Sequence, residues 1–402
     1  MEITKIECIP VSLPIKKPHF MASPGTKPIK GKDDVVVKVH TDEGIVGIGE
    51  SGLPMPRRGD TVESIMGIIN RVFGPQILLG EDPFNIEKIV AKMDTGAKGN
   101  NQAKTAIDFA LHDIMGKKLG VPVYKLLGGL SNEKVPMRCT LKELVGRETP
   151  QQLAERAVKL LEGTGTRAIK VKVARVGATV EEDVNNVKAV REAIDPDVMV
   201  MIDTNEGWDY CTALRTLKKM KNLDIDHVEQ PVPWWDIDGL ARLRRSQDIP
   251  VWSDESGAEL SQVLEIIQKD AVDGLQIKIS CIGGLLKAKK WVSICQAADL
   301  PVKLGMMGGS GLTAAAQIHF TAANEWMGRW PAHGNLNFLE LHEEALDTVS
   351  TPIKDDLVIN VPRYEKGFMY PPDGPGLGVE LNEALLRELL IRGMSPTVIG
   401  KK

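Results

Sequence analysis

Over the first fifty residues apolar and polar positions alternate with a period of two. ITKIECIPVSL alternates, DDVVVKVHTDEG is a β-branched run closed by a turn, and GIVGIGE starts a short third strand. Between the first two lies PIKKPHFMASPGTKPIKGK, rich in Pro, Gly and Lys. A connection of that length inside a compact domain is uncommon, and many such loops are active-site lids. From residue 60 to 120 the period lengthens. TAIDFALHDIMGKKLG repeats its apolar residues at helical spacing and stops at Gly120. The N-terminal third therefore predicts an α+β unit, strands first and helices after.

Beyond about residue 130 short β-rich runs alternate with amphipathic helical runs. The predicted strands are VPMRCTL, AIKVKV, VMVMID, IDHVEQ, PVWSDE, GLQIKI, PVKLGM and a weakly patterned eighth over residues 332–338. PQQLAERAVKLLEG, TVEEDVNNVKAVREAI, LSQVLEIIQKD and GGLLKAKKWVSICQAA read as helices between them. Eight strands alternating with helices is the count of an α/β, TIM-type (β/α)₈ barrel. The tail returns to Gly/Pro-rich segments and one helical run, ELNEALLRELLIRG. The division expected is an N-terminal α+β capping domain with a lid (1–130), a catalytic barrel (131–363) and a C-terminal segment packing back on the cap (364–402).

Composition narrows the function classes. The 402 residues are 43% hydrophobic and 26% charged, as in ordinary globular proteins. A net charge of −4 argues against a nucleic-acid binder, which would carry a basic surplus. No apolar stretch approaches the roughly 18 residues that span a bilayer, so no membrane partner is expected. MEITKIECIPVSLPIKK reads as a strand, not a signal peptide. Five scattered cysteines without CxxC spacing read as free thiols in a reducing cytoplasm.

Barrel enzymes carry their chemistry at the C-terminal ends of the strands. There the second strand has Lys170 and Lys172, which share a face because side chains alternate by two. The third strand ends at Asp203 and Asn205, the fourth at Glu229, the fifth at Asp254 and Glu255, and the sixth carries Lys278. Taken singly each has a plain structural reading: a solvated strand end, an Asx turn before a helix, a surface lysine. Together they form an ordered set. Asp203, Glu229 and Asp254 follow one another at the length of one βα unit, so they converge on one side of the mouth. Three carboxylates that close repel unless a cation sits among them, and oxygen-only ligands favour Mg²⁺, with Mn²⁺ next. Strands two and six of an eight-membered ring lie opposite each other, so Lys172 and Lys278 would face across the mouth. A substrate carboxylate on the metal would place its α-carbon between two amines. Removing such a weakly acidic proton needs charge stabilisation and a base of lowered pKa, which Lys170 beside Lys172 would help to provide.

These motifs resemble the enolase superfamily, and within it the muconate lactonizing enzyme-like subgroup. The resemblance covers nearly the whole chain: TDEGIVGIGE and AIDFALHDIMGKKLGVPVYKLLGG in the cap, then IKVKV, DTNEGW, VEQP, SDES and KISCIGG in the barrel. It implies a modified, enolase-like barrel, Lys172 and Lys278 as the acid/base pair, and Asp203, Glu229 and Asp254 as Mg²⁺ ligands. Asn205 would support the substrate carboxylate or the ligand shell, with Glu255 behind it. The mandelate racemase subgroup places a His–Asp dyad on the far side, where this chain has Lys278.

One departure stands out. Many members of the subgroup carry a glutamate after the seventh strand, where this chain has Gly308 in a Gly-rich run over 308–311. Dipeptide epimerases also carry Asp-x-Asp on the eighth strand; Asn335-Leu336-Asn337 lacks that charge, which argues against a free dipeptide. Specificity is expected from the lid (15–31, with His19, Phe20 and Met21), from residues 53–55 and from the loops after strands seven and eight. Lys27, Lys30 and Lys32 either attract an anionic substrate or simply solvate the lid. Trp330 and Phe338 line the pocket or join the core, and Trp234 and Trp235 form pocket wall or subunit contact. The leading expectation is an isomerase acting on a small carboxylate: a racemase or epimerase of an N-substituted or cyclic amino acid, or a cycloisomerase. A lyase expelling a β-hydroxyl is the second reading, and a catalytically silent barrel the third. Barrels of this kind commonly self-associate, so a homo-oligomer is expected.

Overall fold

The computed structural model describes residues 1–19, 29–56, 59–142, 148–305, 308–330, 333 and 356–400. Strands β1 (Ile3–His19), β2 (Ile29–Thr41) and β3 (Val46–Glu50) form an antiparallel sheet. The first two run further into the Pro/Lys-rich segment than their alternation suggested. Pro10 is tolerated within β1 because its backbone faces away from β2: Pro10 O accepts from Ile391 N–H, and Ser12 N–H, two residues on, donates outward to Leu389 O. The helix Asn101–Leu119 lies directly on this sheet. Gly47 and Gly49 allow it, since a Cβ on Gly49 would stand 1.9 Å from Ala106 O and one on Gly47 2.1 Å from Ala110 O.

The second half is built on a parallel sheet. After a short strand β4 (Val135–Pro136) come β5 (Cys139–Leu141), β6 (Ala168–Lys172), β7 (Met199–Asp203), β8 (His227–Glu229), β9 (Val251–Ser253), β10 (Gly274–Ile277) and β11 (Val302–Leu304). Each pairs with its sequence neighbour, from β5 to β11. The helices between start where the sequence supplies caps. Thr149 and Thr179 each close a capping box, with Gln152 and Glu182, and Asp209 caps the helix Tyr210–Met220. Gly165, in the left-handed region at φ 67°, ends the helix Pro150–Thr164.

The sheet curls into a ring. Arg138, just before β5, donates to Gln276 of β10, whose amide donates to Glu229 of β8. β5 and β10 lie far apart in the sheet order and meet only across a barrel. Most of the expected eighth strand falls outside the described residues. His333 marks its place: its backbone pairs with Pro136 and Arg138, and its Nδ1 accepts from Leu304 N–H of β11. The gap between β11 and β5 is bridged there.

The tail does two things. Strand β12 (Tyr364–Glu365) pairs with β13 (Phe368–Met369), which pairs with β4, and β14 (Thr397–Gly400) pairs with β1. The helical run ELNEALLRELLIRG forms only Glu383–Glu388, because residues 389–391 turn to hydrogen-bond β1. Among the described residues no helix is long and apolar enough to cross a membrane. None of the five cysteines forms a disulfide, and four of them are buried.

Candidate active site

Register brings the charged strand ends into line. Lys172 of β6 is level with Asp203 of β7, and Asp203 with Glu229 of β8. Lys170 Nζ donates to both Glu229 oxygens (2.9 and 3.0 Å) and stands 2.7 Å from Asp203 Oδ2. Lys172 Nζ stands 2.5 Å from the same Oδ2 and also donates to Asn205 Oδ1. Lys278, one residue past β10, pairs with Asp254, one residue past β9, and lies 3.9 Å from Glu255 Oε1. Asn205 completes the chain with a long 3.5 Å bond to Glu255. The structure thus gathers Lys170, Lys172, Lys278, Asp203, Glu229, Asp254, Asn205 and Glu255 into one cluster.

Burial makes this cluster electrostatically strong. Asp203 is fully buried and Lys170 only 4% exposed. Burial pushes the Asp203 carboxyl up, but the ammoniums of Lys170 and Lys172 more than reverse this and hold it well below the usual range. Burial, then the Arg138 guanidinium, pulls Lys170 below the ordinary lysine value against Asp203 and Glu229. The backbone is bent to fit: Asn205 (φ 45°) and Gln230 (φ 42°) are left-handed at the ends of β7 and β8, a conformation that costs free energy and concentrates at functional sites.

Several supporting residues escaped the sequence reading. Gln276 holds Glu229 Oε1 at 2.6 Å and accepts from Arg138 at 2.9 Å. The alternation of GLQIKI carries the signal, because Gln276 lies two residues before Lys278 and so shares its face. Gln230 braces the next strand: its Oε1 accepts from Asp254 and Ser256 N–H, and its Nε2 donates to Ser256. Glu50, ending β3, accepts from the N–H and hydroxyl groups of Ser310 and Thr313. That contact docks the cap on the start of the helix Gly311–Ala322.

Other expected residues lie elsewhere. Trp330 packs edge-on against Trp326, whose indole donates to Leu300 O just before β11. That is the N-terminal end of the barrel, so the structure does not bring Trp330 to the cluster. The reason is positional: Trp330 precedes the eighth strand, and residues before a barrel strand face away from the chemistry. Gly308, at φ 114°, sits at the mouth, where a Cβ would stand 2.9 Å from Leu53 Cβ and 3.6 Å from Lys32 Cδ. Trp234 lines a cleft of about 270 Å³ with Glu206, Glu255 and Asn101, while Trp235 is 68% exposed. Phe20, His19's side chain, Met21, Lys27, Phe338 and the Asn335–Asn337 pair lie outside the described residues. Lys32, grouped with the lid lysines, is 3% exposed and cannot be solvating a loop.

Asp203, Glu229 and Asp254 offer oxygen donors only, from three successive strands. Among the described residues no Asp, Glu, His and Cys side chains stand as a ready-made metal cluster. Ammoniums lie among these carboxylates and balance them. A donor set of buried carboxylates whose charge is matched by nearby cations suits a hard divalent ion, which brings the same sign of charge to the same place.

Comparison with known proteins gives the family of the chain. Residues 4–128 match the mandelate racemase/muconate lactonizing enzyme N-terminal domain, and residues 152–385 the enolase C-terminal domain-like family. The chain is 33% identical to the N-succinyl-L-Arg/Lys racemase of Bacillus cereus, over 97% of this chain and 98% of that one. A mandelate racemase/muconate lactonizing family protein from Azoarcus sp. EbN1 superposes with a TM-score of 0.88 at 42% identity, covering 99% and 100% of the two chains. A dipeptide epimerase from Enterococcus faecalis, complexed with Mg and L-Leu-L-Tyr, gives 0.82 at 29% identity, covering 94% and 100%.

Proposed function

From the premise that this chain belongs to the mandelate racemase/muconate lactonizing enzyme family and is an isomerase of the enolase superfamily, we propose that it racemises or epimerises a small N-substituted or cyclic amino acid by Mg²⁺-dependent α-proton transfer. The observation that carries this reading is the placement of Lys172 and Lys278. Their strands, β6 and β10, are separated by β7, β8 and β9, which is half the circumference of an eight-membered ring. The carboxylates of Asp203, Glu229 and Asp254 fill the arc between them.

In this reading Asp203, Glu229 and Asp254 hold the divalent ion. The ion supplies positive charge that stabilises the enediolate left by proton removal and disfavours the protonated lysines. One lysine takes the α-proton from one face of the substrate, and the other returns a proton to the opposite face. Lys170, held between Asp203 and Glu229, is a positioning residue that fixes both carboxylates and places a cation beside Lys172. Asn205 orients Lys172, and Glu255 stands behind Lys278. The racemase and epimerase relatives, one complexed with Mg, favour 1,1-proton transfer and this ion.

Proton NMR in D₂O with Mg²⁺ tests the proposal on N-acyl amino acids, proline derivatives, small hydroxy acids and cis,cis-muconate. Loss of an α-proton signal without a new product is the expected result. A new vinyl or lactone signal would replace racemisation with elimination or cycloisomerisation. No change in any pool, with no Mg²⁺ bound, would overturn the proposal in favour of a silent barrel.

A further inference from the structure

Lys32 is a buried ammonium without a hydrogen-bond partner among the described residues. Isolated buried charges are costly, so one that persists calls for an explanation. On β2, Lys32, Asp34 and Val36 share a face by alternation. Val36 belongs to the hydrophobic core of the barrel, whereas Val35 and Val37 belong to that of the cap. The face carrying Lys32 therefore looks at the barrel.

Its position on the mouth follows from its neighbours. The stem of Lys32 lies beside Gly308, which follows β11. Its charge is felt by Lys142, which follows β5, together with the charges of Lys172 and Lys170. The ends of β11 and β5 flank the position of the eighth strand. Going round the ring, Lys172 and Lys278 mark a diameter, the three carboxylates fill one half, and Lys32 overhangs the other.

The nearby acids do not neutralise it by contact. Both Glu50 oxygens are taken up by Ser310 and Thr313. Asp356 accepts from Gly311 and Val358 N–H, and burial lifts its carboxyl to about 7. Burial and the charge of Glu50 push Asp34 well above the usual carboxylate range. Burial draws Lys32 itself down to about 8 against these three acids, which leaves it mainly protonated at neutral pH. A Cβ at Gly308 would stand 3.6 Å from Lys32 Cδ, so position 308 is the neighbour of the Lys32 stem on the barrel side. Gly308 supplies no carboxylate there, and the ammonium stays unanswered among the described residues.

We infer that Lys32 receives a second carboxylate of the substrate, so that the natural substrate is a dianion with its far acid several bonds from the reacting α-carbon. A substrate with its α-carboxylate toward Asp203, Glu229 and Asp254 and its α-carbon on the Lys172–Lys278 diameter points its remaining atoms to the Lys32 half. The inference rests on the proton-transfer reading for the orientation of the substrate. The same chemistry arises from two sources: an amino acid acylated by a dicarboxylic acid, or a free unsaturated dicarboxylic acid.

Isothermal titration calorimetry of the Mg²⁺-loaded protein tests it with two matched pairs. N-succinyl-L-phenylalanine is compared with N-butanoyl-L-phenylalanine, and cis,cis-muconate with hexa-2,4-dienoate; each pair differs by a carboxylate in place of a methyl. In one pair the diacid should bind roughly 10- to 100-fold more tightly, the worth of a charge-assisted bond. The pair that shows it identifies the source. Lys32→Met should bring that ratio close to one. Removal of an unpartnered buried charge favours folding, and Lys32→Gln serves if the methionine variant fails to fold. A ratio near one in both pairs of the wild type, a ratio that survives the substitution, or no binding of either diacid overturns the inference. The same ligands in D₂O separate the two readings. Discrimination by Lys32 without α-proton exchange leaves the anion site standing and removes proton transfer, and exchange without discrimination does the reverse.

Discussion

Replacing Gln276 by methionine tests how the candidate metal side of the mouth is supported. The amide makes two bonds with charged partners inside the barrel, donating to Glu229 at 2.6 Å and accepting from Arg138 at 2.9 Å. Its place is tightly bounded, since a Cβ on Gly305 would come within 2.7 Å of its side chain. Methionine has nearly the same length and lacks both hydrogen-bonding groups. A bond to a charged group contributes about 1.5–3 kcal/mol, and among the described residues Arg138 keeps only Thr140 as a side-chain hydrogen-bond partner afterwards, so the loss should be about 3–5 kcal/mol in urea unfolding with EDTA present. Glu229 keeps Lys170 but loses its second brace. Loss of such a partner weakens metal binding about 10- to 100-fold, readable by Mg²⁺ titration calorimetry. Wild-type stability together with wild-type Mg²⁺ affinity would refute the reasoning. A stability loss with unchanged affinity would remove Glu229 from the ligand set.

Lys172→Ala and Lys278→Ala should each fold and lose about 10²- to 10⁴-fold in α-proton exchange, on opposite substrate enantiomers followed separately by NMR in D₂O; full activity in both would refute the two-base assignment. Gly49→Ala should cost about 3 kcal/mol or more, because its Cβ would meet Ala106 O at 1.9 Å. Gly44→Ala, with nothing within 4 Å but a φ of 78°, should cost only about 1 kcal/mol, and thermal melts that rank the two equally would contradict the packing argument. Burial draws His227, His319 and His333 down to about 4 from 6.5. The unfolded chain then binds more protons between those values, so each histidine drains stability as pH falls from about 6.5 to about 4. His319→Gln should remove at most about 3 kcal/mol of that loss in urea unfolding at two pH values, and an unchanged pH slope would refute it.

The cluster was legible in the sequence because a barrel converts linear spacing into position. One βα unit between Asp203, Glu229 and Asp254 becomes one step round a ring, and the two-residue spacing of Lys170 and Lys172 becomes one face. What alternation leaves open is the partner a side chain meets. Lys170 points inward as its face requires, but only the register of β6 with β7 and β8 shows that it bridges Asp203 and Glu229. Gln276 carried the same alternation signal as Lys278, yet an amide in a strand looks like a polar filler until its charged partners across the ring are known. Trp330 stays open between pocket and core in the sequence for a different reason: its distance from the strand can be read there, and its side of the strand cannot. Lys32 was legible only as one of three lysines that attract an anionic substrate or solvate the lid, and spacing does not choose between the two. Its sequence neighbours, a run of glycine and lysine next to the lid, describe a solvated loop. Its burial belongs to a junction made with residues far along the chain: Glu50 ties the cap to Ser310 and Thr313, and Gly308 lies beside the Lys32 stem. Groups recurring at one point of every βα unit can be read from the chain, because the barrel repeats. A specificity residue supplied by the cap follows no repeat, so the part of the site that would choose the substrate is the part that needed the structure.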